Sequence, residues 1–363
     1  MPEAYKNIID YVWEHGDTFD ARPLCRVDSL VLSQLSYFRL PSDATPAWGW
    51  SGLPVHELWR SDWLDEMTGR MYDPHGARKL ASALAASPRF RDVLICGYAD
   101  QLDRLTQMQF SAMSFVISPE QTYVAFRGTD NTIVGWKENL NMAFQVQVPS
   151  QISALHYLER TASRVPGRLW CGGHSKGGNM AIYAGMTCAP EIRSRLECCF
   201  SHDGPGFTSE TLVELEGAAD HVKVDKTVPQ SSIFGMLFDG GGQDVQVVHS
   251  VSSGFAQHDP LSWEVEGCDF VIEERLGRTA SYVDSSLNAW IERASPAERQ
   301  HFVEAVFAIM AASEKQYTHD IRTDWRTTVP VMARAALDLD PETRDLFVRE
   351  IIDLVRQLAP GGE

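Results

Sequence analysis

A short apolar run, Leu169-Trp170-Cys171, passes straight into Gly172-Gly173-His174-Ser175-Lys176-Gly177-Gly178, and a helical stripe of Met180, Ile182, Tyr183 and Met186 follows. No other stretch of the 363 residues constrains the fold as tightly. Strand, sharp turn and helix in immediate succession require small neighbours at the turn, because flanking side chains would clash where the backbone folds back on itself. The pattern Gly173-x-Ser175-x-Gly177 supplies them. It lifts the Ser175 hydroxyl above a sheet edge and leaves the amide of Lys176 free to face a developing negative charge.

The surroundings extend this unit in both directions. Gln109 to Ile117 reads as a strand, Ser118-Pro119-Glu120-Gln121 as a turn and Thr122 to Phe126 as a second strand. A helix is predicted over Pro149 to Arg164, ended by Pro166-Gly167, and a strand over Leu196 to Ser201. Strands alternating with helices imply parallel pairing, so the chain is read as α/β with a mostly parallel central sheet flanked by helices. Earlier, apolar stripes at Ile8, Ile9, Val12 and Trp13, and at Leu30, Val31, Leu35 and Phe38, predict two helices. Residues 43–75 are aromatic-rich (Trp48, Trp50, Trp59, Trp63, Tyr72). They either roof a cleft or pack on the core, the commoner use of such residues.

The last ninety residues read mostly as helix. Ser295-Pro296-Ala297-Glu298 is a capping box with proline at the first helical position, and Asp340-Pro341 opens another helix. The expected division is a core over 1–275, with 43–75 as an insertion, and a helical extension over 276–363. The extension packs on the core, caps it or joins two copies as a homo-oligomer.

Charge and cysteine usage narrow the partners. Thirty-two basic against 49 acidic residues leave a net charge of −17, which disfavours nucleic acid and anionic lipid surfaces. No transmembrane run and no secretory leader is evident, and the seven scattered cysteines read as free thiols of a cytoplasmic protein. No metal or organic cofactor is implied.

A serine at such a turn needs a base and an acid, which in this architecture follow it in the order acid, then histidine. Six histidines follow: His202, His221, His249, His258, His301 and His319. His258 lies in the turn-rich Phe255-Ala256-Gln257-His258-Asp259-Pro260, after a strand at Val245 to Val248, where a base reaches over the sheet edge. His249, at the end of that strand, reads as structural. For the acid, Asp203 ends the strand after the elbow helix and precedes Gly204-Pro205-Gly206. Asp225 is its rival in another strand-like stretch, whereas Asp259 adjoins His258 too closely to orient it. His202, one position before Asp203, points to the other face of its strand. Phe126-Arg127-Gly128-Thr129-Asp130 offers the second oxyanion donor at Thr129, with Gly128 permitting close approach; Arg127 either binds a substrate carboxylate or, the commoner use, sits in a buried structural ion pair. Gly128, His174, Phe234 and Leu237 are candidate substrate contacts, with Met236 and Phe238 beside the last two.

The segments Arg127-Gly-Thr-Asp130, Gly135-Trp-Lys-Glu138, Gly173-His-Ser-Lys-Gly-Gly-Asn179, Asp203-Gly-Pro-Gly-Phe207, and Gln257-His-Asp-Pro260 followed by Ser262-Trp263 resemble class 3 lipases. The resemblance is closest to an uncharacterised bacterial lipase-3-like family, and it covers residues 7 to about 270. It implies the α/β-hydrolase fold and carboxylic ester cleavage. It also implies Ser175 as nucleophile, His258 as base, Asp203 as acid, and Thr129 and Lys176 as oxyanion donors. Two departures stand out. Asn139 replaces an aspartate usual in class 3 lipases, and their acid tends to sit one strand later, near Asp225-Lys-Thr-Val-Pro229. The same machinery serves thioester or amide cleavage, and a non-catalytic binding protein would keep the fold without needing it.

Overall fold

The computed structural model describes residues 5–69, 71–129, 133–215, 222–238, 245–277, 288–313 and 325–339, with isolated positions at 281, 341, 343–345 and 348. His221, His319 and most of the helix expected after Asp340 lie outside them.

The first quarter of the chain builds helices α1 (Ile8–Glu14), α2 (Arg26–Leu35), α3 (Thr45–Trp48), α4 (Ser61–Thr68) and α5 (Pro74–Ala86) around a short strand β1 (Leu53–Pro54). Then come β2 (Leu94–Asp103), β3 (Met108–Ser118), β4 (Gln121–Phe126), α6 (Ile133–Asn141), α7 (Pro149–Ala162), β5 (Arg168–His174) and α8 (Lys176–Thr187). Next are α9 (Pro190–Arg193), β6 (Leu196–His202), α10 (Ser209–Glu214), β7 (Val224–Pro229), β8 (Val245–Val248) and a small hairpin, β9 (Val265–Glu266) with β10 (Asp269–Phe270). Beyond residue 275, helices Pro296–Ala311 and Trp325–Leu337 are described.

Strands β1 to β8 form one sheet in chain order. The β1-β2, β2-β3 and β3-β4 pairs are antiparallel, and the four pairs from β4 to β8 are parallel. The molecule is therefore α/β, with an antiparallel margin grafted onto a parallel half. Both faces of the central strands are buried. Along β4, Tyr123 and Ala125 enter a core with α2, while Val124 and Phe126 enter another with α7 and α8. Such two-sided burial is why β4 to β6 read as near-continuous apolar runs.

Capping boxes mark the starts of α1 and of Pro296–Ala311, the second of them the one expected at Ser295. Asn7 closes a capping box on α1, and Ser295 accepts from Glu298 N on Pro296–Ala311. The aromatic stretch divides: Trp63 and Met67 are buried, while Trp48, Trp59 and Tyr72 stay largely exposed. All seven cysteines are free. Among the described residues no helix is long and apolar enough to cross a membrane. Past residue 275, Trp290, Ile291 and Ala294 form a third apolar cluster with Met142, Ala143, Val148 and Phe238. Arg299 fastens it by donating to Ala143 O at 2.6 Å and pairing with Glu210.

Candidate active site

Parallel strands point all their carboxyl ends the same way, so residues that end β4, β5 and β6 and begin the loops after them collect at one edge. Ser175 follows β5 with φ 58° and ψ −135°, a conformation that costs a non-glycine residue about 1–3 kcal/mol and persists only where its surroundings enforce it. Here they do. Ser175 N donates to His202 O on the neighbouring strand end, and Ser175 O accepts from Gly178 N in the helix it caps. A Cβ on Gly177 would overlap the Phe126 carbonyl, so glycine alone lets α8 begin directly against the end of β4. A Cβ on Gly128 would lie 2.9 Å from Ser175 Cβ, which brings the Gly128-Thr129 backbone alongside the serine.

Asp203 follows β6, also at positive φ (52°), and is buried. Its Oδ2 accepts from His258 Nδ1 at 2.6 Å. Its Oδ1 accepts from the Ser232 hydroxyl and from Gly235 N at 3.0 Å. Both carboxylate oxygens are thus committed, which fixes the orientation of the group. The His258 ring is flanked by Phe234 and His174, each with its centroid 4.5 Å away. Three further hydrogen bonds brace the loop that carries it. His174 Nε2 donates to His258 O at 2.9 Å, Trp263 Nε1 to Gln257 O at 2.8 Å, and Ser231 N to Gln257 Oε1 at 2.6 Å. The Tyr37 hydroxyl supplies the hydrogen for His174 Nδ1 at 3.0 Å. Burial, reinforced by the neighbouring His258, drives the His174 pKa well below the ordinary imidazole value, so His174 works as a neutral donor-acceptor.

The remaining candidates divide. The Lys176 amide lies in the first turn of α8 and has no intrahelical acceptor. Its side chain is buried, with Nζ 2.7 Å from Glu138 Oε2 and 2.6 Å from Gln109 O. Thr129 Oγ1 is buried without a hydrogen-bond partner among the described residues. Arg127 makes the expected ion pair, with Asp100 at 2.5 Å. Asp225 stands elsewhere. It lies near the start of β7, two positions before the Thr227 that pairs with His202, and it faces Arg26 at 3.1 Å. Burial raises its pKa while Arg26 opposes the shift. Phe238 lies in the Trp290 cluster with Leu237 packed against it, while Phe234 meets His258. His249 is held between Glu273 and Glu264, consistent with a structural role. Asp259 caps the short turn of Pro260–Ser262 through Leu261 N and does not orient His258. Ser175 Oγ and His258 share no hydrogen bond among the described residues.

Several supporting residues went unassigned from sequence. Asn179 donates to the Pro205 and Gly206 carbonyls and accepts from Gln151, tying α8 to the loop after Asp203. Glu138 accepts from Gln109 N and Ser150 N as well as Lys176, tying α6 to β3, α7 and the elbow helix. Asn288 accepts from Phe238 N and donates to Met236 O, fastening the segment that holds Asp203. Both Asn179 and Glu138 lie inside recurrent motif segments, the one signal that pointed to them.

The sequence model of the Mbeg1-like family matches residues 84–308, well over half of the chain. The chain belongs to the Mbeg1-like family. The matched stretch contains every residue of this site except Tyr37, and it runs past residue 275 into the helix Pro296–Ala311. No curated protein matches this Mbeg1-like chain. Among solved structures it is similar to the native Rhizomucor miehei lipase propeptide complex at 16% identity. That match covers 61% of this chain and 66% of the other with a TM-score of 0.34, a likeness too slight to argue from.

Proposed function

We propose that this chain is a serine hydrolase of the α/β-hydrolase fold that cleaves carboxylic esters, lipase- or esterase-like, through an acyl-enzyme. The observation that carries the reading is the 2.6 Å Asp203–His258 hydrogen bond at the sheet edge that also holds Ser175 at φ 58°. With Nδ1–H given to Asp203, the His258 Nε2 is left as the base. It takes the Ser175 proton as Oγ attacks the ester carbonyl, and Asp203 stabilises the resulting imidazolium. The amides of Lys176 and Thr129 receive the oxyanion. Protonated His258 then hands its proton to the leaving alcohol, and a water activated by the same nitrogen releases the acid. The Ser175–His258 hydrogen bond closes as substrate enters, as is common where catalytic contacts are long in the free enzyme. Phe234, beside His258, forms one wall for the acyl group.

The test is hydrolysis of p-nitrophenyl esters by wild type and Ser175→Ala, with circular dichroism as the folding control. The proposal requires turnover by wild type and a loss of about 10³-fold or more in a folded Ser175→Ala protein. Equal turnover by both proteins would overturn it.

A further inference from the structure

We infer that a cavity on the antiparallel margin of the sheet, apart from Ser175, Asp203 and His258, binds a small aromatic acid. The cavity measures about 370 Å³ and is lined by Trp48, Trp50, Tyr98, Asp100, Arg160 and Arg164, with Gly97 in its wall. That volume falls in the range of small-molecule sites and suits one or two fused rings.

Its aromatic wall is built by a defect in the sheet. Strand β2 shifts register against β3 between Cys96 and Ala99. Gly97, at φ +63°, turns its amide to Gly49 O at 2.7 Å. A Cβ there would lie 2.9 Å from Trp50 Cζ2, so the missing side chain is what seats the indole against the strand. Trp48 packs edge-on to Tyr98 with ring centroids 4.6 Å apart and donates its indole N–H to Pro41 O at 3.0 Å. It is nonetheless 41% exposed. A fixed aromatic surface thus stays open to solvent, ready to stack with a flat ring at little entropic cost.

The charge at the mouth sets the ligand's sign. Arg160 lies in the last turn of α7 and Arg164 just past its end, and both are exposed. Among the described residues neither guanidinium is in an ion pair; Arg160 lies over the Tyr157 ring at 5.0 Å. Elsewhere arginines meet carboxylates, as in Arg89–Asp28 and Arg26–Asp225. Asp100, the carboxylate in the wall, is itself held by Arg127. In a chain of net charge −17, two guanidiniums beside an aromatic cavity make a local reversal of sign. A helix C-terminus accounts for cations there but not for their facing an indole-lined hollow. Guanidinium forks match a carboxylate, and the indoles match its ring.

Calorimetric titration of the full chain with 1-naphthoate tests this, beside neutral 1-naphthalenemethanol and cationic 1-naphthylmethylamine. Naphthoate is expected to bind one-to-one and at least tenfold tighter than either control. Arg160→Gln/Arg164→Gln should erase that preference with the far-UV spectrum unchanged, and Trp48→Ala should weaken naphthoate tenfold or more. Ser175→Ala should bind as wild type does, separating this site from the proposed active site. The inference is overturned if naphthoate shows no saturable binding at millimolar concentration, if the neutral analogue binds equally, or if the arginine variant binds unchanged.

Discussion

Two histidines, His258 and His202, differ in almost every physical respect. His258 sits at the carboxyl edge of the sheet with its side chain 24% exposed and an Asp203 carboxylate on Nδ1. His202, one residue before Asp203, is the last residue of β6 and has no exposed surface. Its ring nitrogens meet the Ser29 hydroxyl at 2.9 Å and the Thr227 hydroxyl at 2.8 Å. Tyr123 completes that cluster, bonded to Ser29 and Ser33. Burial, with a smaller contribution from Arg26, holds the His202 pKa down to about 3. A histidine with neutral partners and no route to solvent cannot take up a proton as part of a reaction. One with a carboxylate behind it and an open face can. Proximity of serine to histidine therefore says little; the third partner and the access decide.

The sharpest way to break this contrast is to take away the carboxylate. Asp203→Asn keeps the shape but favours the wrong tautomer of His258, and ester turnover is expected to fall by about 10³–10⁴-fold. A fall of less than tenfold in steady-state kinetics would put His258 on the same footing as His202. The next effect lies in the frame under the elbow. Glu138→Gln strands the Lys176 ammonium in the interior and should cost about 3–5 kcal/mol in urea unfolding, since removing one partner leaves a buried charge uncompensated. Pairing it with Lys176→Met should recover much of that loss, and equal losses in single and double variants would count against the pair.

The buried histidine offers a subtler test. Its pKa is depressed in the fold, so its neutral state weighs on stability only where the unfolded chain takes up a proton that the folded chain refuses. That contribution is complete above the ordinary value near 6.5 and is lost progressively as pH falls toward 3. Wild type should consequently lose about 2 kcal/mol through this group between pH 7.5 and 5, by the same linkage. His202→Gln lacks the term, so the stability gap between the proteins should narrow on acidification. A gap constant with pH would contradict the assignment. The smallest expected effect belongs to Tyr37→Phe. Loss of one hydrogen bond to His174 should loosen the His258 backbone and lower kcat by about three- to tenfold with KM little changed. A change confined to KM would make Tyr37 a substrate contact instead.

What the sequence made legible follows the range of the interactions involved. The elbow, the hairpin of β3 and β4, the strand end before Asp203 and the turn carrying His258 are local signals: glycine spacing, alternation and turn residues within a few positions. The three antiparallel pairs at the margin were only half visible, because the Trp-rich stretch before β2 fits either a roof or a core. In the fold Trp63 became core while Trp48 stayed out. The bracing network was invisible for a different reason. Lys176 meets Glu138 across 38 positions and Tyr37 meets His174 across 137. No periodicity or spacing encodes such pairs, and Lys176 drew notice only for its amide. Asp225 shows the converse: a strand-borne aspartate resembles an acid in sequence, yet its place near the start of β7 pairs it with Arg26.

The most direct test of the account is covalent. Intact wild type treated with a fluorophosphonate, digested and analysed by mass spectrometry should carry the adduct on the peptide containing Ser175. Labelling should slow by about 10³-fold in Asp203→Asn, as loss of the tautomer-fixing carboxylate implies. An adduct on any other serine, or labelling at full rate in Asp203→Asn, would contradict it.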